Sequence, residues 1–143
     1  MKIIKLKPNK DGIVFFSNIY TAPDHNSGYR DYYTLFQTLT LWNSGSYHVY
    51  VAMEGDTVLG CLHGRDLKVY ETIDFDGDFY FFKECRGRIA LEALELTVEQ
   101  IRKDLGVTRF FADILEHNKP AKILVSAAGF KRFKKDKYIL EIK

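Results

Sequence analysis

The spacing of apolar and polar positions changes period along this chain, and the changes mark its elements. Lys2 to Lys7 alternates basic and apolar residues as a half-exposed strand does, and Pro8 with Asp11-Gly12 ends it. Ile13 to Tyr20 fits a short helix, and Thr21 to Gly28 holds enough turn formers to be a loop. Tyr29 to Trp42 places Tyr32, Leu35, Phe36, Leu39 and Trp42 at helical spacing, until Asn43-Ser44-Gly45-Ser46 stops it. Tyr47 to Met53 and Val58 to His63 read as strands turned at Glu54-Gly55-Asp56, and Lys68 to Ile73 as a further strand. Asp76-Gly77 is the strongest two-residue hairpin signal in the chain, and predicts a turn into a strand from Asp78 to Phe82.

From Ile89 the period lengthens. Ala90, Leu94, Val98, Ile101 and Leu105 recur at steps of three and four, the face of a helix, and Gly106 suits its C-terminal cap. Val107 to Leu115 returns to strand spacing. Pro120 suits the first turn of a second helix, filled by Ala121 to Ala128 and ended by Gly129. The basic run Lys131 to Lys137 reads as a solvated turn before a last strand, Tyr138 to Ile142. No repeat or linker interrupts this order, which predicts one mixed domain over residues 1–143.

Composition narrows the picture less than the pattern does. A chain of 143 residues, 46% hydrophobic and 28% charged, is large enough to bury a core without staples. Aromatics reach 15%, with nine Tyr and eleven Phe, and thicken in the first half. They fill a core or line an apolar substrate groove. A net charge of +2 gives no reason to expect a nucleic-acid partner. Cys61 and Cys85 lack metal-ligand spacing and are too few for a disulfide framework, which fits a reducing cytoplasm. No segment has the pattern of a signal peptide or a membrane span, and no metal site is expected.

The candidate chemistry begins at Arg86-Gly87-Arg88-Ile89-Ala90, between a strand and a helix. Such a turn brings backbone N–H groups, a close-approach glycine and positive charge to one point, which suits a phosphate-bearing ligand. Downstream, Asn118, Ala121, Leu124 and Gly129-Phe130 punctuate the next strand and helix; Asn118 also suits the cap of that helix. In order and residues, this region resembles the GNAT N-acetyltransferase superfamily over about the last two-thirds of the chain. The loop is one glycine shorter than the common form, with Ile89 where a glycine belongs, and resembles the phage-encoded members whose pyrophosphate loop is contracted.

The resemblance implies an α/β (α+β) fold, a mixed and mostly antiparallel central sheet flanked by helices. It further implies a parallel pair, from the strands ending near Phe82 and Leu115, splayed where the cofactor enters. It implies acetyl-coenzyme A as co-substrate. The pyrophosphate would meet Arg86, Gly87, Arg88 and the Ile89 and Ala90 amides; the pantetheine would meet the backbone of Phe81 and Lys83; Asn118 would give a side-chain contact. Activity would be acetyl transfer to an amine, either a small amine or a peptide or protein. The acceptor would lie between the Tyr29 to Trp42 helix and the strand near Asp76, where aromatics favour a peptide or apolar-bodied amine over an aminoglycoside.

The catalytic positions depart from the family pattern. Where many members carry a tyrosine general acid, this chain has Val125, with Ser126 beside it. Base candidates are Asp76, Asp78 and His63, although Asp76-Gly77 is also turn chemistry and a lone strand histidine suits a structural role. Cys85 beside Arg86 predicts a lowered thiol pKa, with no partner for nucleophilic work. A rival reading follows: a GNAT fold, phage-encoded, that has lost the chemistry and serves in binding or structure. The oligomeric state stays open, a dimer among the options.

Overall fold

The computed structural model describes residues 1–22, 32–82 and 85–142. Tyr29, the loop 23–28, the Tyr32 side chain and Lys83 therefore lie outside the described residues. The elements follow in the order β1 (Lys2–Lys5), α1 (Lys10–Tyr20), α2 (Tyr32–Asn43), β2 (His48–Glu54), β3 (Thr57–Val69), β4 (Thr72–Phe81), α3 (Arg88–Leu105), β5 (Arg109–Asp113), α4 (Lys119–Ala127), β6 (Lys131–Lys134) and β7 (Lys137–Glu141). Among the described residues, seven strands form one sheet in the order β1-β2-β3-β4-β5-β7-β6. Every neighbouring pair is antiparallel except β4 and β5. This is the mixed, mostly antiparallel sheet that the sequence implies.

Each face of the sheet buries its own cluster. On one face, α3 sets Leu94, Val98 and Ile101 against Tyr50, Leu62, Phe75 and Phe110, and α4 adds Ala121 and Val125. The 18-residue α3 has the apolar stripe that this packing needs and ends at Gly106, whose φ of 70° gives the left-handed cap. On the other face, α1 and α2 bury Phe16, Ile19, Tyr20, Leu35 and Trp42 against Val49 and Cys61. Of the first-half aromatics, Phe16, Tyr20 and Trp42 thus fill a core and Phe15 packs against it, while Phe36 is exposed.

Three boundaries differ from the pattern reading. Asp11-Gly12 does not end β1 but lies in the first turn of α1, which Asn9 caps by accepting from Gly12 N at 2.9 Å. The basic run from Lys131 is more than a turn: Lys131–Lys134 is an exposed edge strand, and lysines suit such an edge because they resist pairing with another chain. Most consequential is the hairpin. The segments Val58 to His63 and Lys68 to Ile73 are not separate strands meeting a turn at Asp76-Gly77. β3 runs unbroken to Val69, which pairs with Thr72, so Tyr70-Glu71 makes the turn. Tyr70 takes a φ of 55° there, 95% exposed.

Asp76 and Gly77 sit inside β4, paired with Arg65 and Gly64. The glycine is required for space. A Cβ on Gly77 would collide with the His63 carbonyl oxygen and lie 2.8 Å from Phe75 Cε1, so the two glycines let the Phe75 ring fold over the strand pair. Gly77→Ala should therefore destabilise the protein by about 2–4 kcal/mol, the range of a backbone collision in a packed core. Gly87→Ala, where a Cβ meets nothing within 4 Å but φ is 65°, should cost about 1 kcal/mol. Urea midpoints of the two variants measure the difference.

Candidate functional site

The site arises where β4 outlasts its partner. β4 pairs with β5 from Asp74↔Arg109 to Gly77↔Ala112 and no further, while its ladder with β3 continues to Phe81. Backbone direction alternates along a strand. Phe82 N donates to Leu59 O on the β3 side, and Ile73 O accepts from Thr108 N on the β5 side. The register is continuous between them, so the odd-numbered residues point their N–H and C=O toward β5. Beyond Gly77 those residues are Phe79 and Phe81, and they face an open gap.

The gap is one end of a cleft of about 640 Å³. Phe79, Tyr80 and Phe81 form one wall, and α4 forms the other through Ala121, Leu124 and Ala127. The start of α3 closes the far end with Arg86, Gly87, Arg88 and Ala90. Asn118 lies at the cleft with its side chain accepting from Ala121 N at 3.2 Å, so it caps α4 where it also lines the wall. Gly87 is the N-cap of α3 and offers no side-chain hydrogen bond. The first-turn amides therefore keep donor capacity at a positive helix end.

Of the predicted cofactor residues, Phe81, Arg86, Gly87, Arg88, Ala90 and Asn118 come together in this cleft. Ile89 does not line it; that side chain is 51% exposed, turned outward from the glycine position it replaces. Arg86 has a task the sequence did not show. Its Nη1 donates to the carbonyls of Phe82 at 2.8 Å, Cys85 at 3.0 Å and Phe81 at 3.3 Å. The guanidinium thus staples the loop to the end of β4 and holds its charge beside the helix start. Cys85 is buried in the cleft wall, and burial pushes its thiol up although Arg86 opposes the rise, contrary to the expected lowering.

The three base candidates lie away from the cleft lining. Asp76 and Asp78 alternate with Gly77 and so project from the sheet face opposite α3 and α4. Asp78 is the first residue past the end of the β4–β5 ladder. Lys137 Nζ bridges Asp76 at 3.8 Å and Asp113 at 3.5 Å, with Phe111 beneath it at 5.7 Å. His63 is fully buried under α1, its Nδ1 2.6 Å from Tyr47 Oη and its ring 4.9 Å from that of Phe16. Val125, at the family's acid position, is fully buried in the main core. Among the described residues, no group of three or more His, Cys, Asp or Glu side chains is placed to hold a metal ion.

Burial raises the Asp76 carboxyl above its ordinary value; Lys137 opposes the rise, and Asp113 and Asp78 add to it. The folded state therefore holds this proton longer than the unfolded chain, and its contribution to stability falls as pH rises from about 4 through the raised value. Asp76→Asn cannot lose that proton. Its urea midpoint relative to wild type should climb across the same interval; a constant difference would contradict the shift.

A family profile described as an acetyltransferase (GNAT) domain matches residues 24–143. Among curated protein sequences there is no match. Solved structures show the same fold at low identity. A ribosomal-protein-S5-alanine acetyltransferase from Vibrio fischeri is 14% identical, with a TM-score of 0.68 over 96% of this chain and 89% of its own. Spermidine N-acetyltransferase from Vibrio cholerae, in complex with CoA and spermine, is 10% identical, with a TM-score of 0.70 over 96% and 91%. The NatC complex bound to Gag peptide and CoA includes a chain 16% identical, with a TM-score of 0.72 over 100% of both. With four-fifths of its length under the profile and the β4–β5 cleft in place, this chain belongs to the GNAT acetyltransferase family.

Proposed function

We propose that this protein transfers an acetyl group from acetyl-coenzyme A to an amine, with the β4–β5 cleft as the coenzyme site. One observation carries the reading: the cleft runs without a break from the open first turn of α3 to the unpaired edge of β4. The two ends demand different things of a ligand. The α3 end, with Gly87, Arg88 and the Ile89 and Ala90 amides, suits a pyrophosphate in the contracted form of the loop. The β4 end offers the Phe79 C=O and the Phe81 N–H in strand geometry, which suits the amides of a pantetheine arm, as β-augmentation suits a peptide. Asn118 lines the same cleft.

Phe79 N–H is the first β4 donor past the ladder that faces the gap. A thioester carbonyl placed there would have its developing negative charge met by a fixed dipole. The acceptor would approach from the opposite face of the sheet, past Asp76 and Asp78. An ammonium acceptor gives one proton to one of these carboxylates; the amine nitrogen then bonds to the acyl carbon, the carbon–sulfur bond breaks, and the nitrogen's second proton passes through water to the leaving thiolate. His63, opposite Asp78 in the β3–β4 register, fits a supporting place in the core better than a base in contact with substrate. Three carboxylates (Asp76, Asp78 and Asp113) near Phe111 favour a cationic acceptor with an apolar body. Among the structural neighbours, one is in complex with spermine and another is bound to a peptide.

The rival reading, a fold that binds without chemistry, keeps two observations in its favour: Val125 leaves α4 with no phenol at the family's acid position, and none of the base candidates lines the cleft. Its other ground weakens, since Ile89 lies off the cleft lining. Calorimetric titration of coenzyme A separates binding from its absence. Wild type should bind, and Arg88→Ala should weaken binding at least about tenfold, the worth of one charge-assisted hydrogen bond. No binding at millimolar ligand would overturn the coenzyme site. Binding without acetylation of any polyamine or peptide amine would leave the rival standing.

A further inference from the structure

The coenzyme cleft has a closed end, and that end has a cavity behind it. The second cavity, of about 10 Å³, lies at the base of the β4–β5 splay. Its wall includes Leu62, Phe75, Gly77, Leu94 and Phe110, all apolar, and no charged residue lines it. Phe79 is the residue that lines both spaces. Its side chain shares a sheet face with Phe75 and Phe81, its ring 5.6 Å from that of Phe81, so it stands as a partition between cleft and cavity.

We infer that the Phe79 ring sets the acyl-chain length this protein accepts, by stopping the chain at the base of the splay. The inference rests on the coenzyme reading of the cleft. If the Phe79 N–H meets the thioester carbonyl, the acyl tail beyond that carbonyl runs toward the side chain of the same residue. A space of 10 Å³ is at the lower limit for one water molecule, which is about the size of a methyl group. With the ring in place this space is closed off, so an acetyl methyl stops against the ring and a butyryl chain has no room to extend. Removing the ring joins the cavity to the cleft, and the wall it adds is apolar, the kind that rewards each added methylene.

The position is separable from its neighbour. Phe81 lines the cleft from the same face but not the cavity. Its side chain can therefore affect how any coenzyme A derivative binds, without discriminating between acyl chains.

The test measures dissociation constants of coenzyme A, acetyl-coenzyme A and butyryl-coenzyme A for wild type, Phe79→Leu, Phe79→Ala and Phe81→Leu by calorimetry. The ratio of butyryl to acetyl affinity should rise at least about tenfold in Phe79→Ala, by a smaller factor in Phe79→Leu, and not at all in Phe81→Leu. Should Phe79→Ala fail to fold, the leucine variant carries the comparison. An unchanged ratio in the Phe79 variants, with coenzyme A still bound, would overturn the inference and leave the coenzyme site intact. An equal rise in Phe81→Leu would overturn it too. Failure of wild type to bind coenzyme A itself would remove the site and the inference together.

Discussion

Backbone hydrogen bonding in β4 has partners on both sides over its first half and on one side over its second. From Asp74 to Gly77 the strand lies between β3 and β5; from Asp78 to Phe81 only β3 remains. A half-buried strand edge with unpaired N–H and C=O groups is costly unless something completes it. The closed end of the splay is fastened from several directions. Arg109 donates to both carboxylate oxygens of Asp74, at 2.7 and 2.8 Å, and Thr108 N donates to Ile73 O at 2.8 Å. The open end is held by the Arg86 staple at the tip of β4 and by α4 across the gap. A fixed hinge, a stapled tip and, between them, a strand edge that β5 leaves unpaired build the cleft into the fold.

The two sheet faces divide the labour. The face under α3 and α4 is apolar apart from the His48–Asp66 pair, and its core continues up to the cleft at Phe79 and Leu124. The other face is dry only where α1 and α2 cover it; beside them it carries Asp76, Asp78, Asp113 and Lys137 on β4, β5 and β7. Alternation along β4 therefore sends Phe75, Phe79 and Phe81 to one face, and Asp76 and Asp78 with Tyr80 to the other. A donor lying in the sheet plane between β4 and β5 would be reached from the carboxylate face, while its acyl tail would rest on the aromatic one. Burial keeps Asp76 easier to protonate than a free aspartate, a property that suits a proton acceptor near a cationic ligand.

Much of this was legible because local signals and tertiary needs agreed. The α3 stripe, its Gly106 stop, the Asn118 cap and Pro120 in the first turn of α4 each did in the structure what their chemistry predicts locally. The loop residues Arg86 to Arg88 line the cleft for the same reason. Asp76-Gly77 misled because glycine serves two purposes. Here it admits the Phe75 ring, a requirement set by residues on other strands and invisible in a local window. The true turn went unread because Tyr70-Glu71 carries no turn signal, and a tyrosine occupies the left-handed position. The second role of Arg86 was hidden likewise, since its three carbonyl partners are brought together only when β4 and the loop have folded.

The central claim is that the unpaired edge of β4 and the first turn of α3 bind the two ends of one coenzyme. Amide hydrogen exchange, residue by residue, with and without saturating coenzyme A, tests it most directly. The claim predicts slowed exchange at the Phe79 and Phe81 amides together with those of Ile89 and Ala90, while the amides of exposed β6 stay unchanged. Protection confined to the helix end, or spread over the Asp76 and Lys137 face with none at Phe79 and Phe81, would contradict it.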